Sequence, residues 1–291
     1  MTILKPEHKT IIAFILAVLL GGSNSVAIRF SNHELPPFWG ASLRFIAAGA
    51  IFWLIFFARK LSLPKKRDTV ILLLNGFISV GASFAFLYWG LQKIHANLGT
   101  VVLALGPLFT FFLAFLHKIE SFRWQILFGG LIAFAGMVLA VNAQLGNDVP
   151  ITSLLAIAMG AALSAEGNII LKIYSPKSDP VTMNALSISS GAVFLGLASF
   201  VAGETWRLPS STSTWLALTY LIIGGSVMMF YFFVYVLSHW TASATSYIIL
   251  LFPIVATIGG ALLAGEMVTP WFVVGSLIVI VGVWFGAFFK L

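Results

Sequence analysis

Residues 97–117 read NLGTVVLALGPLFTFFLAFLH, 21 residues without one charged side chain. A helix needs about 20 residues to cross the hydrocarbon of a bilayer. The run Phe111-Phe112-Leu113-Ala114-Phe115 is apolar at every step, so it lacks the period-two alternation of a membrane β-strand. Shifted by 146 residues, the stretch lands on 243–263, SATSYIILLFPIVATIGGALL, which is also uncharged. The match runs without a gap from 91–136 onto 237–282. Its ten identities include Pro107 on Pro253, Glu120 on Glu266, Gly129 on Gly275 and Gly136 on Gly282. Upstream, a shift of 144 sets Asn24 on Asn168 and Pro36 on Pro180. One stretch thus marks both a membrane-crossing element and an internal repeat.

Working outward, ten apolar stretches can be marked off, at about 10–30, 36–57, 69–91, 97–117, 122–142, 151–173, 180–202, 213–237, 241–263 and 270–289. They use most of the 291 residues and leave no room for a soluble domain. Composition agrees: 60% of residues are hydrophobic and 9% charged, against about 25% charged in soluble proteins. A cytosolic enzyme, a disordered chain and a disulfide scaffold are excluded, and with no cysteine there is no thiolate nucleophile or Cys-type metal site. The first stretch follows Lys5 and Lys9 but is long and lacks a small-x-small cleavage site, so it is expected to be retained as a helix.

Five spans per half is an odd number, so the second half enters the membrane with opposite polarity. The expected fold is an all-α integral membrane protein. Its ten transmembrane helices form two inverted five-helix repeats, 1–145 and 146–291, around a central cavity. With the N-terminus inside, twelve Lys and Arg residues fall inside and three (Arg29, Lys93, Arg207) outside, while Arg44 lies within a span. Both termini are therefore expected in the cytoplasm of a cell inner membrane. The net charge of +7 reads as this positive-inside bias, not as a nucleic-acid surface.

The motifs resemble those of a known family. Gly21-Gly22-Ser23-Asn24-Ser25-Val26-Ala27-Ile28 resembles the first-helix motif of EamA transporters, in the drug/metabolite transporter superfamily. Leu43-Arg44-Phe45 matches its "LRF", Ala104-Leu105-Gly106-Pro107-Leu108-Phe109 its "AL-x-P-L-F", and Gly265-Glu266 its "GE". His117-Lys118-Ile119-Glu120 keeps only the acid of that last motif. In general character the chain is similar to the YddG-type exporters of aromatic and other neutral amino acids. The resemblance implies a cavity lined by helices 1, 3, 4, 6, 8 and 9, with helices 5 and 10 peripheral. It also implies ATP-independent export, and no G-x-x-x-x-G-K-[ST] string occurs.

Few residues in the spans can carry chemistry. Glu166 is the acid well inside a span, a candidate proton or charge site, or else one member of a pair near the inner end of helix six. Ser164 and Asn168 share one face of that helix, and Glu166 points roughly 200° away. Either that face or Glu166 sees the cavity. Arg44 is the other candidate charge site, or else structural; it cannot lose its charge and needs a carboxylate, such as Glu166, or carbonyls or water. Asn24 and Asn168 occupy matching places and offer donors and acceptors for a zwitterion or sugar, or for helix–helix bonds. Tyr88, Trp89, Tyr231, Tyr235 and Tyr247 are candidates to stack a ligand, or else are packing. Pro107 and Pro253, mid-span, are expected kinks. Gly282 and Gly286 form a GxxxG, for contact within the monomer or in a homodimer. No catalytic set, metal site or cofactor is expected. The expected partners are a small-molecule substrate and lipid. The alternative cargoes are nucleotide-sugars, other anions or cationic drugs.

Overall fold

The computed structural model describes residues 6–32, 34–92, 102–103, 105–141, 150–174, 178–264 and 269–288, and among them there is helix and no strand. The helices are α1 (Pro6–Gly22), α2 (Asn24–Asn32) and α3 (Pro37–Ala58), then α4 (Lys66–Leu91). There follow α5 (Gly106–Leu116), α6 (Trp124–Val141), α7 (Ile151–Tyr174) and α8 (Pro180–Val201). The last three are α9 (Thr212–His239), α10 (Ala242–Ala264) and α11 (Pro270–Val283). By length and composition five of them, α3, α4, α7, α8 and α9, can cross a membrane. Their outward faces are apolar, with Leu54, Phe57, Val193, Phe200 and Leu216 among the exposed side chains. That is the surface a bilayer covers. The protein is a multi-pass membrane protein.

Local chemistry sets the helix ends. Pro37, Pro180 and Pro270 open their helices at first-turn positions, where a missing N–H costs nothing. Asp179, Thr269 and Ser211 cap α8, α11 and α9 by accepting from Val181, Phe272 and Thr214. Three helices close in the same way. Leu61 N–H bonds to Phe56 C=O, Ile119 to Ala114 and Glu204 to Ser199, each around a residue of positive φ: Lys60, Lys118 or Gly203. These are six-to-one closures. The two lysines put a cation where the helix dipole is negative.

Two helices carry a wide turn within them, and Trp284–Phe288, following α11, is a third π-helical stretch among the described residues. α4 is π-helical over Gly76–Ala82 and α9 over Ile223–Met228. At both, a glycine lets another element in. A Cβ on Gly76 would stand 1.9 Å from the Ser187 carbonyl oxygen, and one on Gly225 would stand 1.9 Å from Asn24 Oδ1.

Packing is between the two halves of the chain. α3 lies on α8 and α6 on α11. α1 packs on α9 and α10, and correspondingly α7 packs on α4 and α5. The largest buried cluster joins Phe45, Phe52 and Phe56 of α3 to Val80 and Tyr88 of α4 and Ile188 and Leu195 of α8. The GxxxG glycines make an intramolecular seam. A Cβ on Gly282 would stand 2.6 Å from the Gly129 carbonyl oxygen, and one on Gly129 would stand 2.5 Å from Gly286 Cα.

Proline behaves differently from expectation at one of its two positions. Pro253 lies inside α10. Pro107 is in the first turn of α5, not in mid-helix. Val102 and Leu103 before it are helical too, and Leu105 forms a turn between them and α5. Pro253 is the member of the pair that lies within a described helix.

Candidate functional site

A cavity of about 160 Å³ lies where α4, α5, α7, α8, α9 and α10 converge. A void of about 150 Å³ takes a molecule as large as benzene. Its wall has two characters. Phe84, Phe230, Phe233 and Phe252 present rings, while Asn75, Asn168 and Asn184 present amides among Ser79, Ser83, Ser164, Ser187 and Thr110. Among the described residues no charged side chain belongs to the wall.

Most of these polar groups are already engaged. Asn75 Nδ2 donates to Ser187 Oγ at 3.2 Å, and Ser187 in turn donates to the Leu72 carbonyl at 2.9 Å. Ser79 donates to the Asn75 backbone and side-chain oxygens. Ser83 donates across to the Gly160 carbonyl at 2.8 Å, Thr110 to Gly106, and Asn184 to the Pro180 carbonyl at 2.9 Å. The Asn168 amide is different. It lines the cavity, and no described residue takes its hydrogen bonds. It is the group best placed to meet a solute with both donors and acceptors.

The structure divides the sequence candidates. Ser164 and Asn168 are on the wall. Glu166 is not: its carboxylate meets His117 Nε2 at 3.2 Å, beyond the end of α5. Of the two faces of α7, the Ser164–Asn168 face sees the cavity. Arg44 is 1% exposed and donates from Nε to Ser226 Oγ at 2.7 Å and from Nη2 to the Gly225 carbonyl at 2.8 Å. It does not meet Glu166. Asn24 donates to the same Gly225 carbonyl at 3.2 Å.

The phenols serve packing. Tyr247 is fully buried and donates to the Ile126 carbonyl at 3.0 Å, tying α10 to α6. Tyr88 packs beside Phe84 and interacts with Arg44. Trp89 is exposed on the outer surface of α4. Tyr231 packs against the main cluster and Tyr235 against His239. None of them lines the cavity, and neither do Pro107 and Pro253. Glu266, with the rest of the Gly265–Glu266 motif, lies outside the described residues.

The lining helices also differ from expectation. α8, the seventh span of the sequence reading, contributes Met183, Asn184 and Ser187, whereas α1 contributes no wall residue. The reason is Gly21, where a Cβ would fall 2.2 Å from the Phe252 ring. Phe252 fills the space a side chain of α1 would need, and stands between α1 and the cavity. Of the missed wall residues, Asn75 carried a readable signal as an amide well inside an apolar span, whereas Asn184 lies near the start of its span.

The comparisons with known proteins agree with this architecture. A solved crystal structure superposes with a TM-score of 0.82 at 18% identity, covering 95% of this chain and 96% of that one, which shows a shared fold. An uncharacterized transporter of Archaeoglobus fulgidus is 27% identical over 94% of this chain and 96% of its own. The uncharacterized inner membrane transporter YedA of Escherichia coli K12 is 28% identical over 89% and 85%. A probable amino-acid metabolite efflux pump of Salmonella typhimurium is 27% identical over 94% and 93%. The profile of the EamA-like transporter family matches twice, over residues 8–142 and 151–287. With nearly its whole length matched, the chain belongs to the EamA-like transporter family.

Proposed function

We propose that this transporter is a secondary, ATP-independent exporter of small neutral metabolites, foremost aromatic and other neutral amino acids. The observation that carries the reading is the cavity wall, which among the described residues has four phenylalanines, three asparagines and no charged group. Rings bind an apolar side chain by area and quadrupole. The unengaged Asn168 amide supplies both donor and acceptor for a zwitterion. A nucleotide-sugar or other anion would call for basic residues on that wall, and a lipophilic cation for an acid. The acid of α7 is committed to His117 instead. The similarity to a probable amino-acid metabolite efflux pump points the same way.

The mechanism proposed is alternating access between two inverted repeats, residues 1–145 and 146–291, with ten spans and both termini cytoplasmic. Its support is the reciprocal packing: α1 on α9 and α10, α7 on α4 and α5. Such pairing is what two halves of opposite sense produce, with the cavity at their interface. The test is counterflow in proteoliposomes of labelled tryptophan, phenylalanine, methionine and threonine, with a nucleotide-sugar and a cationic dye as competitors. Saturable exchange indifferent to both competitors is expected. Movement of dye or nucleotide-sugar without amino-acid exchange overturns the substrate class.

A further inference from the structure

Arg44 is the largest fully buried side chain described, and no described carboxylate pairs with it. The ion pairs among the described residues are Arg59–Asp179 and His117–Glu166, both elsewhere. Nε and Nη2 of Arg44 are used on Ser226 and Gly225, while Nη1 is buried without a hydrogen bond. Beside it, Asn24 gives its Nδ2 to the same Gly225 carbonyl, and its Oδ1 is buried without a partner. One small volume around Gly225 therefore holds an idle cationic donor and an idle amide acceptor. Gly225 makes this volume, because any larger residue would collide with Asn24.

One aromatic layer separates this volume from the cavity. The Phe84 ring is on the cavity wall, and its centroid is 5.9 Å from Arg44 Cζ. Phe45 completes the layer, 4.9 Å from Arg44 Cζ and edge-on to Phe84 at 5.0 Å. On α9, Ser226 holds Arg44 while Met229 and Phe230, one turn further, face the cavity.

A guanidinium cannot neutralise itself. Buried at membrane depth, it is expected to pair with an anion or with water, and such residues mark substrate paths. We propose that Arg44 and Asn24 form a second subsite, for the carboxylate of the solute, closed from the cavity by Phe84. This deepens the amino-acid reading and rests on it for the identity of the solute. When the Phe84 ring swings aside, the carboxylate reaches Nη1, and an adjacent ammonium can donate to Asn24 Oδ1. The apolar end of the solute stays among the remaining rings. The subsite explains how a wall without charge discriminates an acid from its amide. A purely structural Arg44 would pin α3 to the wide turn of α9 and show no such preference.

The test uses the full chain, purified in detergent, with 3-phenylpropionate and 3-phenylpropionamide as probes and the thermal unfolding midpoint as readout. On the wild-type protein the acid is expected to raise the midpoint saturably at a concentration at least tenfold below the amide. Arg44→Gln is expected to remove that preference, Arg44→Lys to restore part of it, and Phe84→Ala to improve the acid several-fold over the amide. Equal response to acid and amide in the wild-type protein, or a preference surviving in Arg44→Gln, overturns the proposal. Should Arg44→Gln elute aggregated, Phe84→Ala decides: no gain for the acid overturns it. Amino-acid counterflow is scored separately. Acid preference without amino-acid exchange removes the function and keeps the subsite. Exchange without acid preference does the reverse.

Discussion

Asn168 and Glu166 are two residues apart on α7 and have opposite surroundings, because two helical steps turn the chain by roughly 200°. One amide faces the cavity and the carboxylate faces His117. Asn168→Ala is therefore expected to weaken a transported amino acid by about 1 kcal/mol, roughly fivefold in KM, with little change in the unfolding midpoint. Glu166→Gln is expected to leave KM unchanged and to alter stability by less than about 1 kcal/mol, since the pair it breaks is half-exposed. A raised KM in Glu166→Gln would put that acid back on the transport path. Helical spacing was legible here, which is why the two faces of α7 could be stated as alternatives from the sequence. The phenols were not: with 27 Phe, 9 Trp and 6 Tyr, an aromatic in mid-span says nothing about which way it points. Tyr247 illustrates the point, since its hydroxyl is a brace between α10 and α6.

At the scale of elements, wide turns stand at Gly76–Ala82 in α4, at Ile223–Met228 in α9 and at Trp284–Phe288 after α11. Nothing in a run of apolar residues announces a change from α to π hydrogen bonding. It follows from tertiary contact, here α8 pressing on Gly76 and Asn24 on Gly225. At Gly76 the obstructing atom is a backbone oxygen, which no rotamer change can move. Gly76→Ala is expected to force α4 and α8 apart and to cost about 1–3 kcal/mol, read as a lowered unfolding midpoint. Gly106→Ala is the control, because among the described residues its Cβ would meet only Ile249 Cδ1, at 3.9 Å. Equal midpoints for the two variants would show that the α4–α8 contact is slack. The prolines teach the complementary lesson. Pro107 and Pro253 align in the repeat, yet one begins its helix and the other lies within it. Sequence symmetry carried the position of a helix but not its starting residue.

At the scale of the whole molecule, the turn between α2 and α3 is clasped by the connection between α8 and α9. The Glu204 carboxylate accepts from Phe38 N–H at 3.1 Å and Trp39 N–H at 2.7 Å, where the dipole of α3 favours an anion. Trp39 Nε1 donates to the Arg207 carbonyl at 2.7 Å and its ring stacks on Trp206 with centroids 5.2 Å apart. Glu34 accepts from Ser210 and Ser211, and Arg207 donates to the Glu34 carbonyl. The Ser210 hydroxyl and backbone N–H hold the Glu34 carboxyl well below its ordinary 4.5, at about 2. A depressed carboxylate pKa stabilises in full above the ordinary value and is lost as pH falls through the folded one. The clasp is therefore expected to stay shut from pH 8 to 5 and to need a conformational step to open. The sequence reading had no access to it, because it joins residues about 170 apart through loop acids that no helical period marks. If the two halves rock during transport, this joint between them must part once per cycle. The chain has no cysteine, so a pair can be introduced on a clean background. Trp39→Cys with Trp206→Cys, bridged by a short reducible thiol cross-linker, is expected to abolish counterflow, and dithiothreitol is expected to restore it. Each single variant treated in the same way should keep its exchange. Undiminished exchange with the bridge in place would mean that solute passes without parting these two segments, and the rocking would have to be sought at the opposite ends of the helices, where Arg59 meets Asp179 and His117 meets Glu166.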